Sequence, residues 1–570
     1  MQPLNEIIKA AHGEHPVDLL LKNVNLINVL SGEIYPADIA IHDDLIVGIG
    51  NHYDAKETLD LKGLFAAPGF IDAHVHIESS MVIIPQFARA VVPLGTTSVV
   101  ADPHEIANVM GYEGIRFMMD YAKYNPLNVF FMLPSCVPAT NLETAGSQLR
   151  AFDIFPFLQE KWVLGLGEVM NFPGVIHGDP DVLDKIKISA EKRIDGHAPG
   201  VTGKDLMAYI AAGILSDHES TAPDEALEKL RNGMFVMIRE GTGTKNLNAL
   251  LPIITPENSR RCLFCTDDRH PHDILEQGHI NYMIKTAIDY GINPVDAVRM
   301  ATLNSAEYFG LRKLGAIKPG NFADIVILDD LKNFHVKMVL KNGKVVAREG
   351  EAIYDPPVRP EVKLRSSVNI KWLEGNEFQI PARGKKCRVI ELIRDQIVTK
   401  ELITDAKIDG STLASDPERD ILRLFVVERH YASGNIGKGL VKGFGLKYGA
   451  MASSIGHDSH NIIVVGVNDR DILKAVTQVN KMGGGLAVAE NEQILASLEL
   501  PIAGLMSSEP IETVNEKMIA LNDAARQLGC TLSDPFMSLS FLALPVIPKL
   551  KLTDLGLVDV EKFEFVDLFV

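Results

Sequence analysis

The chain has 570 residues, of which 46% are hydrophobic and 23% charged, and 56 Lys and Arg against 74 Asp and Glu give a net charge of −18. A chain of this length exceeds one hydrophobic core, so two to four domains are expected. The negative charge argues against an extended surface for nucleic acid or anionic membranes, since both need local positive charge. We therefore expect a small-molecule ligand, with no nucleic-acid or membrane partner.

Five scattered cysteines do not suggest a disulfide framework: Cys136, Cys262, Cys265, Cys387 and Cys530. The N-terminal residues lack the apolar stretch of a signal peptide, and no later segment reaches 18 uninterrupted apolar residues. These features predict a cytoplasmic protein, and we expect it to be a homo-oligomer.

Two short β-rich pieces flank the central part of the chain. Residues 18–24 and 45–50 are typical strands before it, and residues 323–328 and 341–346 are typical strands after it, the last with an Asn342-Gly343 hairpin turn. Neither piece can bury a core alone. We therefore expect residues 1–65 and 317–370 to meet in one split β-sandwich domain, the second part including a linker.

Between these pieces an apolar run followed by a polar residue and a helical stretch occurs eight times. The runs end at His76, Asp102, Pro134, Glu168, His197, His218, Glu240 and Asp267. The gaps of 26, 32, 34, 29, 21, 22 and 27 residues suit a strand plus a crossover helix. This spacing predicts an α/β fold with a (β/α)8 TIM barrel as the catalytic domain, residues 66–316.

Beyond a Pro-rich linker at residues 352–367, residues 371–570 are predicted to form a C-terminal α+β domain. Asp469 is placed to cap one helix that stops at Gly483, and an apolar stripe predicts a second helix over residues 514–528. A strand is expected at residues 462–467. The preceding segment, residues 457–460, reads as a turn, and its contribution to an active-site lid is left open.

Six side chains at the predicted strand ends are candidate metal ligands: His74, His76, Glu168, His197, His218 and Asp267. Active sites of (β/α)8 barrels form at these ends. Each residue alone is also compatible with a buried structural histidine or a capping carboxylate, but their joint position favours a metal site. Four imidazoles and two carboxylates suit two divalent ions such as Mn, Fe or Zn, with Glu168 bridging them. A mononuclear site stays open.

Such a pair of ions can share one water and lower its pKa enough to form hydroxide at neutral pH. Asp267 is placed to orient this hydroxide and to carry its proton to a leaving group. The pattern therefore predicts a metal-dependent hydrolase.

Residues 68–76, Pro-Gly-Phe-Ile-Asp-Ala-His-Val-His, resemble the first-strand motif of the amidohydrolase superfamily. Residues 74–81, 164–170, 216–219 and 265–271, together with the C-terminal domain, are similar to its adenine deaminase family. The resemblance covers nearly the whole chain. It implies hydrolytic deamination of adenine to hypoxanthine and ammonia in purine salvage, with Mn2+ or Fe2+ as the metals and Zn2+ as a further candidate. Glu168 stands where many superfamily members bridge their ions with a carboxylated lysine, which disfavours the hydantoinase and dihydroorotase branches.

The implied reaction needs proton transfers, because attack at C6 requires a protonated N1 and the amino group leaves as ammonia. We expect Asp267 to carry one proton, and Asp268, Glu219 and Glu105 are candidates for the other. His104, Glu105 and Arg239 are candidates for binding the purine edge. For His104 and Arg239 a loop salt bridge is the alternative interpretation.

Two other functions stay open at this point. The barrel chemistry also serves a cyclic amidase or another aminohydrolase of the same superfamily, and the fold could be a catalytically inactive scaffold. A zinc deaminase of a different fold is disfavoured, since Cys262 and Cys265 lack the preceding proline of its motif and are better explained as residues of a core strand.

Overall fold

The computed structural model describes residues 3–50, 52–355, 364, 367–394 and 396–570. Most of the predicted linker, residues 356–363 and 365–366, lies outside these residues. Within the described ranges no helix is both long and apolar enough to cross a membrane. All five cysteines are buried free thiols.

The N-terminal part is a helix followed by five strands: α1 (Leu4–His12), β1 (Val17–Asn28), β2 (Glu33–His42), β3 (Leu45–Ile49), β4 (Ala55–Asp60) and β5 (Phe65–Pro68). β1 is rich in Val, Leu and Ile, which favour strands. It pairs antiparallel with β2 and parallel with β4 and β5. The long central strand therefore organises this piece.

Eight parallel strands form the barrel: β6 (Phe70–Val75), β7 (Thr96–Ala101), β8 (Asn128–Leu133), β9 (Val163–Val169), β10 (Arg193–Gly196), β11 (Ser216–Asp217), β12 (Phe235–Arg239) and β13 (Cys262–Cys265). β6 to β10 form one sheet and β11 to β13 another. The two join where Leu215 N–H donates to Ile194 O at 3.0 Å and where Asp267 N–H donates to His74 O at 3.0 Å. The predicted barrel is confirmed, although its sixth strand has only two residues.

Twelve helices accompany these strands: α2 (Ile84–Val91), α3 (His104–Tyr121), α4 (Ala151–Ile154), α5 (Phe172–His177), α6 (Pro180–Ile188), α7 (Gly203–Ala211), α8 (Pro223–Arg231), α9 (Leu247–Leu250), α10 (Pro271–Glu276), α11 (Ile280–Tyr290), α12 (Pro294–Met300) and α13 (Leu303–Phe309). Their apolar faces pack against the strands, and α3 is kinked at Gly111. The surface at the C-terminal ends of the strands is therefore formed by the connecting loops.

Four further strands follow the barrel: β14 (Ile325–Leu328), β15 (Val336–Lys341), β16 (Lys344–Arg348) and β17 (Glu351–Ala352). β14 pairs antiparallel with β5, so the pieces before and after the barrel share one nine-stranded sheet. A bridge between Leu45 and Phe322 brings β3 back toward the start of β14. The sheet thus curls around an apolar core, and Asn342-Gly343 forms the expected turn between β15 and β16.

The C-terminal region contains the remaining elements: β18 (Lys386–Leu392), β19 (Thr399–Asp405), β20 (Ile408–Asp409), β21 (Thr412–Leu413), β22 (Ile421–Val427), β23 (Ile436–Lys442), β24 (Ala450–Ser453), β25 (Ile462–Gly466), α14 (Asp469–Lys481), β26 (Gly485–Glu490), β27 (Gln493–Glu499), α15 (Ile511–Gln527), α16 (Pro535–Ser540), β28 (Leu550–Thr553), β29 (Gly556–Asp559) and β30 (Glu564–Phe565). Eight of its strands form one sheet. The α+β prediction is confirmed. One detail of it was wrong, because the side chain that caps α14 is that of Asn468, which accepts from Asp471 N–H, and not that of Asp469.

This C-terminal region packs directly on the barrel. Ser507 N–H donates to Met81 O at 2.8 Å, in the loop after β6. Thr144 N–H donates to Asp554 Oδ1 at 2.9 Å, in the loop after β8. The loops at the catalytic ends of the strands are therefore covered by the second half of the chain.

Candidate active site

The six candidate metal ligands converge at the C-terminal ends of the barrel strands. His74 lies in β6, and Glu168 lies near the end of β9. His76, His197, His218 and Asp267 follow the ends of β6, β10, β11 and β13. All six residues are buried, with exposed fractions of 8% or less. Asp267 has a φ of 59°, a conformation uncommon outside glycine and frequent at functional sites.

One group of ligand atoms surrounds the β6 histidine pair. His74 Nε2 and His76 Nε2 lie 3.1 Å apart. His76 Nε2 is 3.1 Å from Glu168 Oε1 and 3.2 Å from Asp267 Oδ1. Two imidazoles and two carboxylate oxygens thus meet at one point, as in a first-row metal site.

A second group forms on the other oxygen of the same glutamate. Glu168 Oε2 lies 2.7 Å from His197 Nδ1 and 3.2 Å from His218 Nε2. His197 Nε2 is buried and has no hydrogen-bond partner among the residues that the structure describes. Buried polar atoms without partners are rare in folded proteins and indicate a missing ligand. The residues present therefore fit a pair of divalent ions with Glu168 between them.

The two carboxylates of this centre carry the negative charge that cations need. Burial raises the pKa of Glu168, but His76 and hydrogen bonds from other imidazoles outweigh it and hold the pKa well below its usual value. Burial likewise raises the pKa of Asp267, and His74, His76 and Arg239 together hold it well below its usual value. Both side chains are therefore ionised at neutral pH.

Two buried aspartates outside the candidate set hold the ligands in place. Asp102 Oδ2 accepts from Glu168 N–H at 3.1 Å, and a Cβ on Gly167 would lie 1.9 Å from that oxygen. Asp72 Oδ1 accepts from Thr266 N–H at 3.1 Å, which ties β6 to the end of β13. In the sequence Asp102 marked only the end of a predicted strand. Gly167, next to Glu168, is the residue that could have indicated a close contact beside Glu168.

The candidate catalytic carboxylates lie beside the metal ligands. Arg239 donates from Nη2 to Glu219 Oε2 at 2.9 Å and from Nη1 to Asp267 Oδ2 at 3.0 Å, and Nη1 also donates to Glu219 Oε1. Asp268 accepts a hydrogen bond from the Ser79 hydroxyl. Arg239 thus forms a buried salt bridge and at the same time lines the cavity.

The C-terminal region contributes side chains to the same site. His457 Nδ1 lies 2.7 Å from Glu105 Oε1, and His460 Nε2 contacts Glu105 Oε2. His104 lies between the halves, with Nδ1 3.1 Å from Glu168 Oε1 and Nε2 3.7 Å from Asp458 Oδ2. Residues 457–460 do form a turn, but this turn is buried against the barrel. The sequence left a contribution of this segment to the site open. Its two histidines and one aspartate within four residues are the pattern that could have indicated such a contribution.

These side chains line one small cavity over the candidate metal centre. From the barrel it is lined by His76, His104, Glu105, Glu168, Met170, His197, Glu219, Arg239, Thr244, Asp267 and Asp268, and from the C-terminal region by Ile397, His457, Asp458, Phe541, Leu544 and Ile547. A wider groove shares Glu219, Arg239, Thr244, Ile397, Phe541 and Ile547 with it. The groove provides a path from solvent to the cavity between the two halves.

A (β/α)8 barrel whose strand ends bring His, Asp and Glu together around one buried glutamate is typical of the class of metal-dependent amidohydrolases. Residues 65–346 match the model of the amidohydrolase family, and residues 396–564 match that of the adenine deaminase C-terminal domain. The chain is 54% identical to adenine deaminase from Desulfatibacillum aliphaticivorans over 570 residues and 48% identical to adenine deaminase 2 from Carboxydothermus hydrogenoformans over 567 residues, each match covering 99% of both chains. The chain therefore belongs to the adenine deaminase family.

Membership of this family implies dependence on divalent metal ions, in agreement with the ligand groups described above. Among solved structures, a crystal structure of an adenine deaminase aligns with 58% of this chain and 99% of its own, at 20% identity and a TM-score of 0.43.

Proposed function

We propose that the protein hydrolyses adenine to hypoxanthine and ammonia at the barrel mouth. The observation that carries this proposal is Glu168, whose two oxygens face separate groups of imidazoles, with 3.1 Å to His76 and 2.7 Å to His197. This arrangement suits a binuclear hydrolytic centre, and the 54% identical relative is named for its action on adenine. An inactive scaffold has no need of such a set of ligands.

The metal ligands in this proposal are His74, His76, Glu168, His197, His218 and Asp267. We propose Mn2+ or Fe2+ as the ions, with Zn2+ also suited to these nitrogen and oxygen donors. Bound in this centre, two divalent ions supply a water whose pKa is lowered toward neutrality. We further propose that the protein is a cytoplasmic homo-oligomer.

The protein's own groups then move the protons. Asp267 is ionised and lies at the end of β13 beside the reacting centre, so it accepts a proton from the attacking water and passes it to the departing amino group. Glu219 and Asp268 line the same cavity and are the candidates for protonating N1 of the purine. Asp268 is the better candidate, because both oxygens of Glu219 accept from Arg239. The donor regains its proton from the new C6 hydroxyl as the carbonyl forms and ammonia leaves. The amide variants Glu219→Gln and Asp268→Asn separate them, because loss of the N1 donor removes the alkaline limb of the pH dependence of kcat, whereas loss of a positioning carboxylate lowers kcat at every pH.

Binding of the substrate is assigned to groups on the edge of the cavity. His104 and Glu105 line it between the metal ligands and the C-terminal region. Arg239 also lines it, and its salt bridge fixes Glu219 and Asp267 in position. Adenine presents both donors and acceptors along its edge, which such a mixed polar lining can match.

The proposal is tested by incubating the Mn-loaded protein with adenine, adenosine and cytosine and measuring ammonia, and with dihydroorotate and measuring ring hydrolysis. Ammonia from adenine alone is the expected result. Reaction with any of the others but not with adenine would overturn the proposal and favour a cyclic amidase or another aminohydrolase. Glu168→Gln, purified and loaded identically, is the control for a contaminating deaminase, because a contaminant keeps its activity in both preparations.

A further inference from the structure

The C-terminal region supplies most of the apolar surface of the cavity. Met170 is the apolar side chain that the barrel contributes, whereas four come from the opposite side: Ile397, Phe541, Leu544 and Ile547. Lys551 fixes two of these positions, since its Nζ donates to Ile397 O and to Phe541 O, both at 2.8 Å. A flat heteroaromatic ring needs such a surface for its face, and the barrel mouth is almost wholly polar.

Within this apolar surface lies one carboxylate. Asp458 is 2% exposed and lines the cavity, and its Oδ2 has no hydrogen-bond partner in the described part of the chain. The nearest cationic group is His104 Nε2 at 3.7 Å, beyond hydrogen-bond distance. An unpaired buried carboxylate oxygen is costly, so its presence beside a ligand cavity indicates that a ligand donor pairs with it.

The position of Asp458 relative to the metal ligands identifies the part of the substrate it meets. His104 spans the gap between them, with Nδ1 3.1 Å from Glu168 and Nε2 3.7 Å from Asp458. The carbon that reacts must lie against the metal centre, so Asp458 lies one imidazole ring farther out. A purine held with C6 at the metal centre turns either N1 or its five-membered ring toward Asp458. In a neutral free base only the five-membered ring carries an N–H donor for this carboxylate.

We propose that Asp458 accepts a hydrogen bond from the N–H of the five-membered ring of a free purine base, and so selects nucleobases over N9-substituted purines. This inference rests on the proposed function. An N9 substituent removes the N–H donor and leaves the carboxylate unpaired, which is the strongest way for a polar site to reject an analogue. The ring N–H is absent from a nucleoside linked at that nitrogen.

The anchoring of its neighbours gives Asp458 a fixed position. His457 and His460 both contact Glu105 of the barrel, one through each carboxylate oxygen. The His457 ring also stacks on Phe541 with 4.5 Å between ring centroids. The carboxylate is therefore held between a side chain of the barrel and the apolar surface of the C-terminal region.

The test compares adenine with 9-methyladenine in the metal-loaded full chain. Binding of 9-methyladenine is measured as its inhibition constant and compared with the KM for adenine. For the wild type we expect 9-methyladenine to bind at least about 10-fold more weakly than adenine. Asp458→Ala, which removes the acceptor, is expected to raise the KM for adenine about 10- to 100-fold, with a smaller change in kcat and unchanged metal content, and to reduce the preference over 9-methyladenine. Asp458→Asn keeps an acceptor oxygen and should reduce that preference less.

The control is Asp554→Asn, because Asp554 is also a buried carboxylate of the C-terminal region but pairs with Thr144 N–H away from the cavity. It should keep the wild-type preference. A wild type that binds both compounds equally overturns the inference, even if the Asp458 variants do not fold. An Asp458→Ala variant with lower kcat but unchanged KM and preference overturns it too. A wild type that releases no ammonia from adenine refutes the proposed function instead.

Discussion

Replacing Arg239 with glutamine should move the acid limb of the pH dependence of kcat/KM to higher pH. Arg239 Nη1 lies 3.0 Å from Asp267 Oδ2. At that distance and an effective dielectric constant near 20, the attraction is roughly 5 kcal/mol before desolvation. Loss of this attraction would raise the pKa of Asp267 by about four units as an upper limit. The neighbouring imidazoles remain in Arg239→Gln, so we expect a rise of about 1–3 units.

The direction follows from the protonation state that the proposed mechanism needs. Asp267 must be ionised to accept a proton, and Arg239 contributes to holding its pKa well below the usual value. Without Arg239 the pKa rises, so activity is lost as the pH falls through the new, higher pKa and is better preserved in alkaline solution.

The assay is ammonia release from adenine between pH 5 and pH 10, with the metal content of each sample measured. Arg239→Lys is the matched control: it keeps the positive charge but loses the planar two-pronged contact with Glu219. We expect a smaller shift of the acid limb for lysine than for glutamine. An Arg239→Gln profile parallel to that of the wild type, lowered equally at every pH, would refute the electrostatic role.

Three further predictions concern the supports of the site. Glu168→Gln should bind about one ion per chain in place of two, measured by elemental analysis, and full occupancy would contradict its bridging role. Asp102→Asn should weaken metal retention on dialysis about 10- to 100-fold, and equal retention would contradict its role in holding Glu168. Lys229→Met should lower the free energy of unfolding by about 3–5 kcal/mol, seen as a lower Tm, because Lys229 and its partner Asp217 are fully buried 2.8 Å apart. Lys187→Met, which removes an exposed pair, should cost less than about 1 kcal/mol, and equal losses would contradict this reasoning.

The barrel and its ring of candidate ligands could be predicted from sequence because both depend on local periodicity. A buried parallel strand is a short apolar run, and the residue at its end faces the barrel mouth, so spacing alone placed His76, Glu168 and Asp267 near one another. Even β11, with only two residues, was located by the polar residue that follows it.

The contribution of the C-terminal region could not be predicted in the same way. Glu105 and His457 are separated by 352 positions, and their contact depends on how two separate sheets dock. No periodic signal encodes such docking. The same holds for Asp102, whose hydrogen bond to Glu168 N–H joins different strands through a gap left by Gly167. The missing information was therefore long-range geometry and not residue chemistry.

The central claim is that two metal ions held by these six ligands support hydrolysis of adenine. It is tested most directly by adding Mn2+ stepwise to the metal-free protein and measuring ammonia release from adenine at each step. The account predicts that activity rises until about two equivalents per chain are bound and is then constant. Full activity at one equivalent, or no ammonia at saturating Mn2+, would contradict it.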